Sequence, residues 1–368
     1  MRKKFNLKSI WESNGARIVQ VLLATLFGLL VGAIVIIISK EDPISVYAQL
    51  FEKSFIKPYY LMQTLTRATP IIICGLATAA AWRAGYINIG VEGQMVFGSF
   101  AATIVAIYMP GPPFLVLIVA ILAGMAIGAM YAMIAAVLNM KYNVSIVIST
   151  LMMNYIANFI TSYFVTYPFK DQSGDGLASQ TVLIPEGTRF LKLSSKTTFN
   201  IGFIIAILLV IGFIYMSKKT VFGYESKMTG FNPNFAKYGG VKEKRVMLKT
   251  MALSGAIAAM AGITEIFGVK YRFIEALFSS TAYAWTGLMS ALIASLQPIG
   301  IFISSIFLAG LQVGGQSIQR SSNVPLQMAT VIQSCITLFV SVRVGIGVFK
   351  NRKKIKKREE KVESGGEG

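Results

Sequence analysis

Long apolar runs separated by short polar interruptions dominate the chain. Ten runs stand out, at about 18–39, 60–82, 93–109, 113–138, 144–166, 200–216, 248–268, 282–296, 299–316 and 327–348. An α-helix needs roughly 20 apolar residues to cross about 30 Å of hydrocarbon, so each run is predicted as a membrane-spanning helix. The runs 93–109 and 282–296 are short, and are expected to be tilted, broken or partly re-entrant. The first run, "IVQVLLATLFGLLVGAIVIIIS", is 22 residues long and is followed by "KEDP" rather than a small-residue cleavage site. It therefore reads as an uncleaved span. The fold class that follows is an all-α membrane protein of about ten transmembrane helices.

Composition points the same way. Charged residues make up 14% of the chain and hydrophobic residues 54%, whereas soluble domains carry about 25% charged residues. The net charge of +19 would suit nucleic acid, but the basic residues gather between apolar runs, as membrane topology demands. With the N-terminus cytoplasmic, the inner segments hold 23 Lys and Arg and the outer segments 10. That bias places both termini in the cytoplasm of a multi-pass protein of the cell (inner) membrane, with no nucleic-acid partner. Nine or eleven spans would put the basic tail outside.

The chain then divides into a cytoplasmic N-terminal segment, 1–17, a transmembrane domain, 18–349, and a basic cytoplasmic tail, 350–368. The tail lies either against anionic lipid head groups or free in solvent. The outer loop 167–199 has room for a hairpin or surface helix and for an extracellular partner.

Polar residues inside this pattern are the candidates for function. "YINIGVEGQM" interrupts two apolar runs, and Gly85, Gly90 and Gly93 weaken a continuous helix there. Non-helical backbone at membrane depth persists only if buried in protein or lining a wet cavity. Glu92 facing lipid would cost several kcal/mol. Asn88, Glu92 and Gln94 therefore either shape a translocation path or belong to an ordinary loop, with Glu92 near a helix N-terminus. Asn154 and Asn158 share a helix face at i, i+4. They either line a polar path or bond to neighbouring helices. Glu265 reads more readily as a solvated helix-end carboxylate than as a pathway group. Gly28/Gly32, Gly124/Gly128 and Gly310/Gly314 are spaced for close helix packing.

The basic segment 217–249 contains "FNPNFAKYGG". Asn232 suits a helix N-cap, Pro233 the first helical position, and Gly239 and Gly240 the end. A short capped helix between basic flanks suits a docking surface for another protein. The bland alternative is a basic loop that serves topology alone.

Several chemistries are excluded or poorly supplied. The chain contains no histidine, the commonest general base. No GxxxxGK[ST] occurs, so the chain does not bind ATP by a P-loop, and no HExxH, CxxC or GxSxG is present. Cys74 and Cys335 fall within apolar runs, which argues against a structural disulfide or a zinc site. An enzyme is therefore not expected.

Three stretches resemble the permease subunits of ATP-binding-cassette (ABC) importers for simple sugars, branched-chain amino acids and nucleosides. They are "ATPIIICGLATAAAWRAGYINIGVEGQM", "GFNPNFAKYGGVKEKRVMLKTMALSGAIAAMAG" and "SIVISTLMMNYIANF". The last looks most like the nucleoside branch, and the resemblance spans about residues 18–348. It implies a type II importer-like fold with ten helices per subunit. It also implies a second permease subunit, often a different chain, with the substrate path along their interface. Gly230, Asn232, Pro233, Ala236, Tyr238, Gly239 and Gly240 match the family's coupling element, which sits in a groove of a separate ATPase. No cofactor is implied in this chain, since the partner binds ATP. An extracellular binding protein, often a lipoprotein in the nucleoside branch, would deliver a small polar solute. The alternatives are an importer for a simple sugar such as ribose or galactose, and an ion-coupled secondary transporter with Glu92 as its ion site.

Overall fold

A computed structural model describes residue 23, residues 25–173 and 178–319, and residues 327, 328, 330–332, 334 and 335. The expectations for residues 1–17, for most of the run 327–348 and for the tail lie outside these residues. Among the described residues the secondary structure is helical apart from two isolated bridges. The chain forms two compact units, Phe51–Val313 and the pair of end segments Met1–Leu50 and Gly314–Gly368.

Nine of the ten apolar runs coincide with helices among the described residues. These are α1 (Thr25–Ile38), α3 (Pro58–Trp82), α4 (Val91–Tyr108), α5 (Pro113–Tyr142), α6 (Ile146–Thr166), α7 (Gly202–Lys219), α10 (Glu243–Glu265), α12 (Tyr283–Ile293) and α13 (Pro298–Gln319). Within the described residues seven are long and apolar enough to cross a membrane, while α1 and α12 are shorter. A π-helical turn, Ile266–Lys270, extends α10.

The polar intervals hold four more helices. The interval 40–59 between the first two runs forms α2 (Pro43–Phe51) and a π-helical turn. The basic segment holds α8 (Val221–Phe231) and α9 (Pro233–Tyr238), and α11 (Leu277–Thr281) precedes α12. The run 93–109 is not broken but forms the continuous 18-residue α4, whereas 282–296 forms a helix too short to span. Its 11 helical residues span only about 16 Å at 1.5 Å per residue, and left-handed Ala276 and Ala282 bracket α11.

Helices α3 and α10 form the centre of the main unit. The α10 helix packs on α3, α4 and α5, α12 covers α3, and α4 lies between α5 and α6. The most apolar helix is a peripheral one. The peripheral α5 has a mean hydropathy of 2.5 and the enclosed α3 only 1.3, because a helix wrapped in protein need not satisfy lipid.

Small residues permit the closest crossings. A Cβ on Gly255 would lie 2.2 Å from the carbonyl oxygen of Gly128, and one on Gly124 would lie 2.6 Å from that of Gly98. The Gly124/Gly128 pair thus brings α5 onto α4 and α10 at backbone contact, as its spacing predicted.

The two ends of the bundle are distinguishable. At one end the break 83–90 touches Gly230 in the basic segment. At the other, the loop 167–199 bonds along residues 267–275, with Thr181 N–H donating to Phe273 O and Ile184 N–H to Tyr271 O. Arg272 also pairs with Asp171 there at 3.5 Å.

Candidate functional site

Three polar constellations lie in the main unit. The first is the break between α3 and α4. Asn88 is fully enclosed. Its Nδ2 donates to Gln94 Oε1 at 3.0 Å and to Ser254 Oγ at 2.9 Å. Its Oδ1 accepts from Gly90 N–H at 2.9 Å and Gln94 Nε2 at 3.1 Å, and Trp82 Nε1 donates to its carbonyl.

Asn154, on α6, clamps the same turn. Its Oδ1 accepts from Gly93 N–H at 2.8 Å and its Nδ2 donates to Ile89 O at 3.0 Å. Thr150 Oγ1 accepts from Ile89 N–H. Backbone groups released by the break thereby regain partners, as buried backbone requires. Asn88, Gln94 and Asn154 spend their hydrogen-bonding capacity on the protein itself.

The second constellation surrounds Glu92, in the first turn of α4 and 7% exposed. Its Oε1 accepts from Ser279 Oγ at 2.7 Å and Asn158 Nδ2 at 3.1 Å, and its Oε2 from Trp285 Nε1 at 3.0 Å. Four elements, α4, α6, α11 and α12, thus converge on one carboxylate. Ser279 and Trp285 are exposed and Asn158 is half-buried, so the cluster opens at the bundle surface. Sequence reasoning found Glu92 and Asn158 but missed Ser279 and Trp285. Those two lie far along the chain, and no local signal marks them.

A related network surrounds Glu265. The expectation of a solvated helix end is corrected: Glu265 is 3% exposed and lies beside Tyr283. The cause is tertiary: the loop 167–199 bonds along residues 267–275 over this end of the helix, and buried Tyr283 lies beside the carboxylate. Arg67 lies over the Tyr283 ring and donates through Nε to Gln312 Oε1 at 2.6 Å. Gln312 donates in turn to Thr286.

The third constellation is the basic segment. The capped helix forms as its sequence prescribes. Asn232 Oδ1 accepts from Phe235 N–H at 3.1 Å, and Pro233 occupies the first helical position. Gly240 takes φ +83°, and Val241 N–H closes onto Ala236 O. Ala236 is buried, whereas Phe231, Phe235 and Tyr238 project, Tyr238 being 93% exposed. The preceding α8 was not foreseen. It begins at a Thr220 cap, whose Oγ1 accepts from Gly223 N–H. Asn88, Gln94 and Asn154 gather at the break, Glu92 and Asn158 at the cluster, and Gly230 through Gly240 on the basic segment.

Comparison with known proteins finds similarity to transporter components. The family model described as the permease component of a branched-chain amino acid transport system matches residues 60–341. The guanosine ABC transporter permease protein NupP of Bacillus subtilis is 30% identical over 340 residues, 90% of this chain and 96% of that one. The nucleoside ABC transporter permease protein NupB of Lactococcus lactis is 30% identical over 353 residues, 94% of this chain and 96% of that one. The glucose ABC transporter permease protein TsgB13 of Haloferax volcanii is 29% identical over 340 residues, 90% of this chain and 87% of that one.

Proposed function

Because the chain belongs to the family of permease components typified by branched-chain amino acid transport systems, we propose that it carries nucleosides into the cell as one of two permease subunits. A separate ATPase supplies the energy by binding and hydrolysing ATP. The observation that carries the cargo class is the 30% identity to guanosine and nucleoside permeases over 90% or more of this chain. The polar groups agree with a neutral polar solute. Asn158, Ser279 and Trp285 engage the Glu92 carboxylate by hydrogen bonds from neutral groups, and a nucleoside demands no fixed counter-ion.

In this reading the segment 217–249 faces the cytoplasm and docks on the ATPase through Gly230, Asn232, Pro233, Ala236, Tyr238, Gly239 and Gly240. The loop 167–199 faces outward, toward a substrate-binding lipoprotein. Both termini are cytoplasmic, with 1–17 and 350–368 flanking the transmembrane domain. Nucleotide-driven closure of the ATPase moves the docking helix and switches the path between outward and inward access. Glu92 and Asn158 belong to the path, and Asn88, Gln94 and Asn154 hold its geometry.

A simple-sugar cargo is the second reading, favoured by the glucose permease of Haloferax volcanii. An ion-coupled carrier is disfavoured by the family match. The family to which the chain matches over residues 60–341 consists of permease components of transport systems, not of self-contained carriers.

Reconstitution with the ATPase, the second permease and the binding protein in liposomes tests the proposal. Guanosine or inosine uptake that requires internal ATP and resists excess ribose or glucose is expected. Uptake without ATP would overturn it, and preferential competition by the sugars would transfer the cargo to the second reading.

A further inference from the structure

The break and the docking segment, far apart in sequence, are joined at backbone contact. A Cβ on Gly230 would lie 2.1 Å from the carbonyl oxygen of Arg83, so no side chain fits between α8 and the break. Gly85, at φ +90°, turns the chain toward the same point, and a Cβ there would lie 3.5 Å from Gly230 Cα. Side chains reinforce the contact. Arg83 Nη1 donates to Ser217 Oγ at 3.0 Å while its guanidinium lies over Phe213. Tyr86 Oη donates to Glu243 O at 3.4 Å. Residues on both sides of the docking helix α9 therefore hold one short turn.

The other end of that turn is bound to the Glu92 cluster. Ile89 and Gly93 are fastened to Thr150 and Asn154 on α6, and Asn158, on the same α6 face, bonds Glu92. Movement of the break carries Glu92 and Asn158 together. Ser279 and Trp285 approach from α11 and α12, beyond left-handed Ala276 and Ala282, and are not fastened to the break by these bonds. Displacement of the break thus reaches the carboxylate on which Asn158, Ser279 and Trp285 converge.

We infer that residues 83–90 receive the movement of the docking segment and pass it to the Glu92 cluster, with Gly230 and Arg83 as the positioning residues. The inference rests on the importer reading and assigns that reading a mechanical route. Packed backbone and saturated hydrogen bonds transmit displacement because neither deforms gradually.

The test uses the complete reconstituted complex and reads uptake and ATP hydrolysis together. Arg83→Ala removes the clamp without a clash, and Ser217→Ala removes the hydroxyl that accepts from it. Both variants are expected to assemble with the ATPase and to hydrolyse ATP near the unaltered rate. Solute moved per ATP should fall about five-fold or more, within the usual range of coupling between sites. Arg83→Lys, which keeps a cation near Phe213 and Ser217, should restore most of the loss. General destabilisation would lower uptake and hydrolysis in proportion and leave their ratio unchanged.

An unchanged ratio in both alanine variants, with ATP-driven uptake intact in the unaltered complex, would overturn the route alone. Absence of ATP-driven uptake in the unaltered complex would overturn the importer reading and the route with it.

Discussion

Asn88 and Asn158 are both amides beside the broken helix, yet their surroundings differ. Asn88 is enclosed and makes side-chain bonds to Gln94, Ser254 and the Gly90 amide. Removing it leaves buried polar groups unpaired, at about 1–3 kcal/mol for each unsatisfied group. Asn88→Ala should therefore lower the melting temperature of the purified permease clearly more than Asn158→Ala, as differential scanning fluorimetry will measure. Glu92 behaves oppositely in this account. Glu92→Gln keeps its shape while exchanging one acceptor for a donor, so insertion and assembly should persist while transport slows. An unchanged initial uptake rate would remove Glu92 from the path.

Asp171 supplies a pH dependence outside the membrane spans. Hydrogen bonds from the Ser173 side chain and backbone, aided by Arg272, hold its carboxyl below the usual carboxylate range. A depressed carboxyl contributes stability that is complete above its ordinary range and disappears as pH falls through the lowered value. The loop 167–199 should accordingly become more susceptible to protease on acidification, and Asp171→Asn should flatten that dependence.

At the level of elements, sequence and structure meet most closely where local chemistry dictates the result. Asn232, Pro233 and Gly240 specify a short helix by cap, fixed φ and left-handed exit, and the helix lies where they place it. Helix α8 escaped notice because "VFGYESKMTGF" mixes polar and apolar residues without a clear period, and its Thr220 cap is a weak signal on its own. The burial of Glu265 was also hidden, because it depends on the loop 167–199 bonding along residues 267–275 rather than on local propensity.

Removing the Asn232 cap should cost about 0.5–2 kcal/mol of helix stability. Asn232→Ala is therefore expected to reduce co-purification of the ATPase, and Gly239→Trp to reduce it further. Undiminished recovery with both variants would show that α9 is not the docking element.

Across the whole molecule, the position and order of nine apolar runs were legible because lipid imposes apolarity on each. The count of ten spans was not, since seven helices among the described residues are long and apolar enough to cross a membrane. Nor was the lateral arrangement. Which helices are enclosed depends on glycine contacts such as Gly128 with Gly255, and spacing identifies only one partner of each pair. The candidate site was half legible for the same reason: Glu92 and Asn158 stand in recognisable motifs, while Ser279 and Trp285 meet them only through the fold.

The sidedness of the molecule links these scales. The break and the basic segment share one end, and the loop 167–199 lies with residues 267–275 at the other. Thiol labelling tests this arrangement most directly, in intact cells that express the complete transporter and a variant carrying Tyr238→Cys with Cys74→Ala and Cys335→Ala. An impermeant maleimide should label Tyr238→Cys only after the membrane is opened, and bound ATPase should suppress the labelling. Labelling in sealed cells would put the docking helix outside and contradict the account.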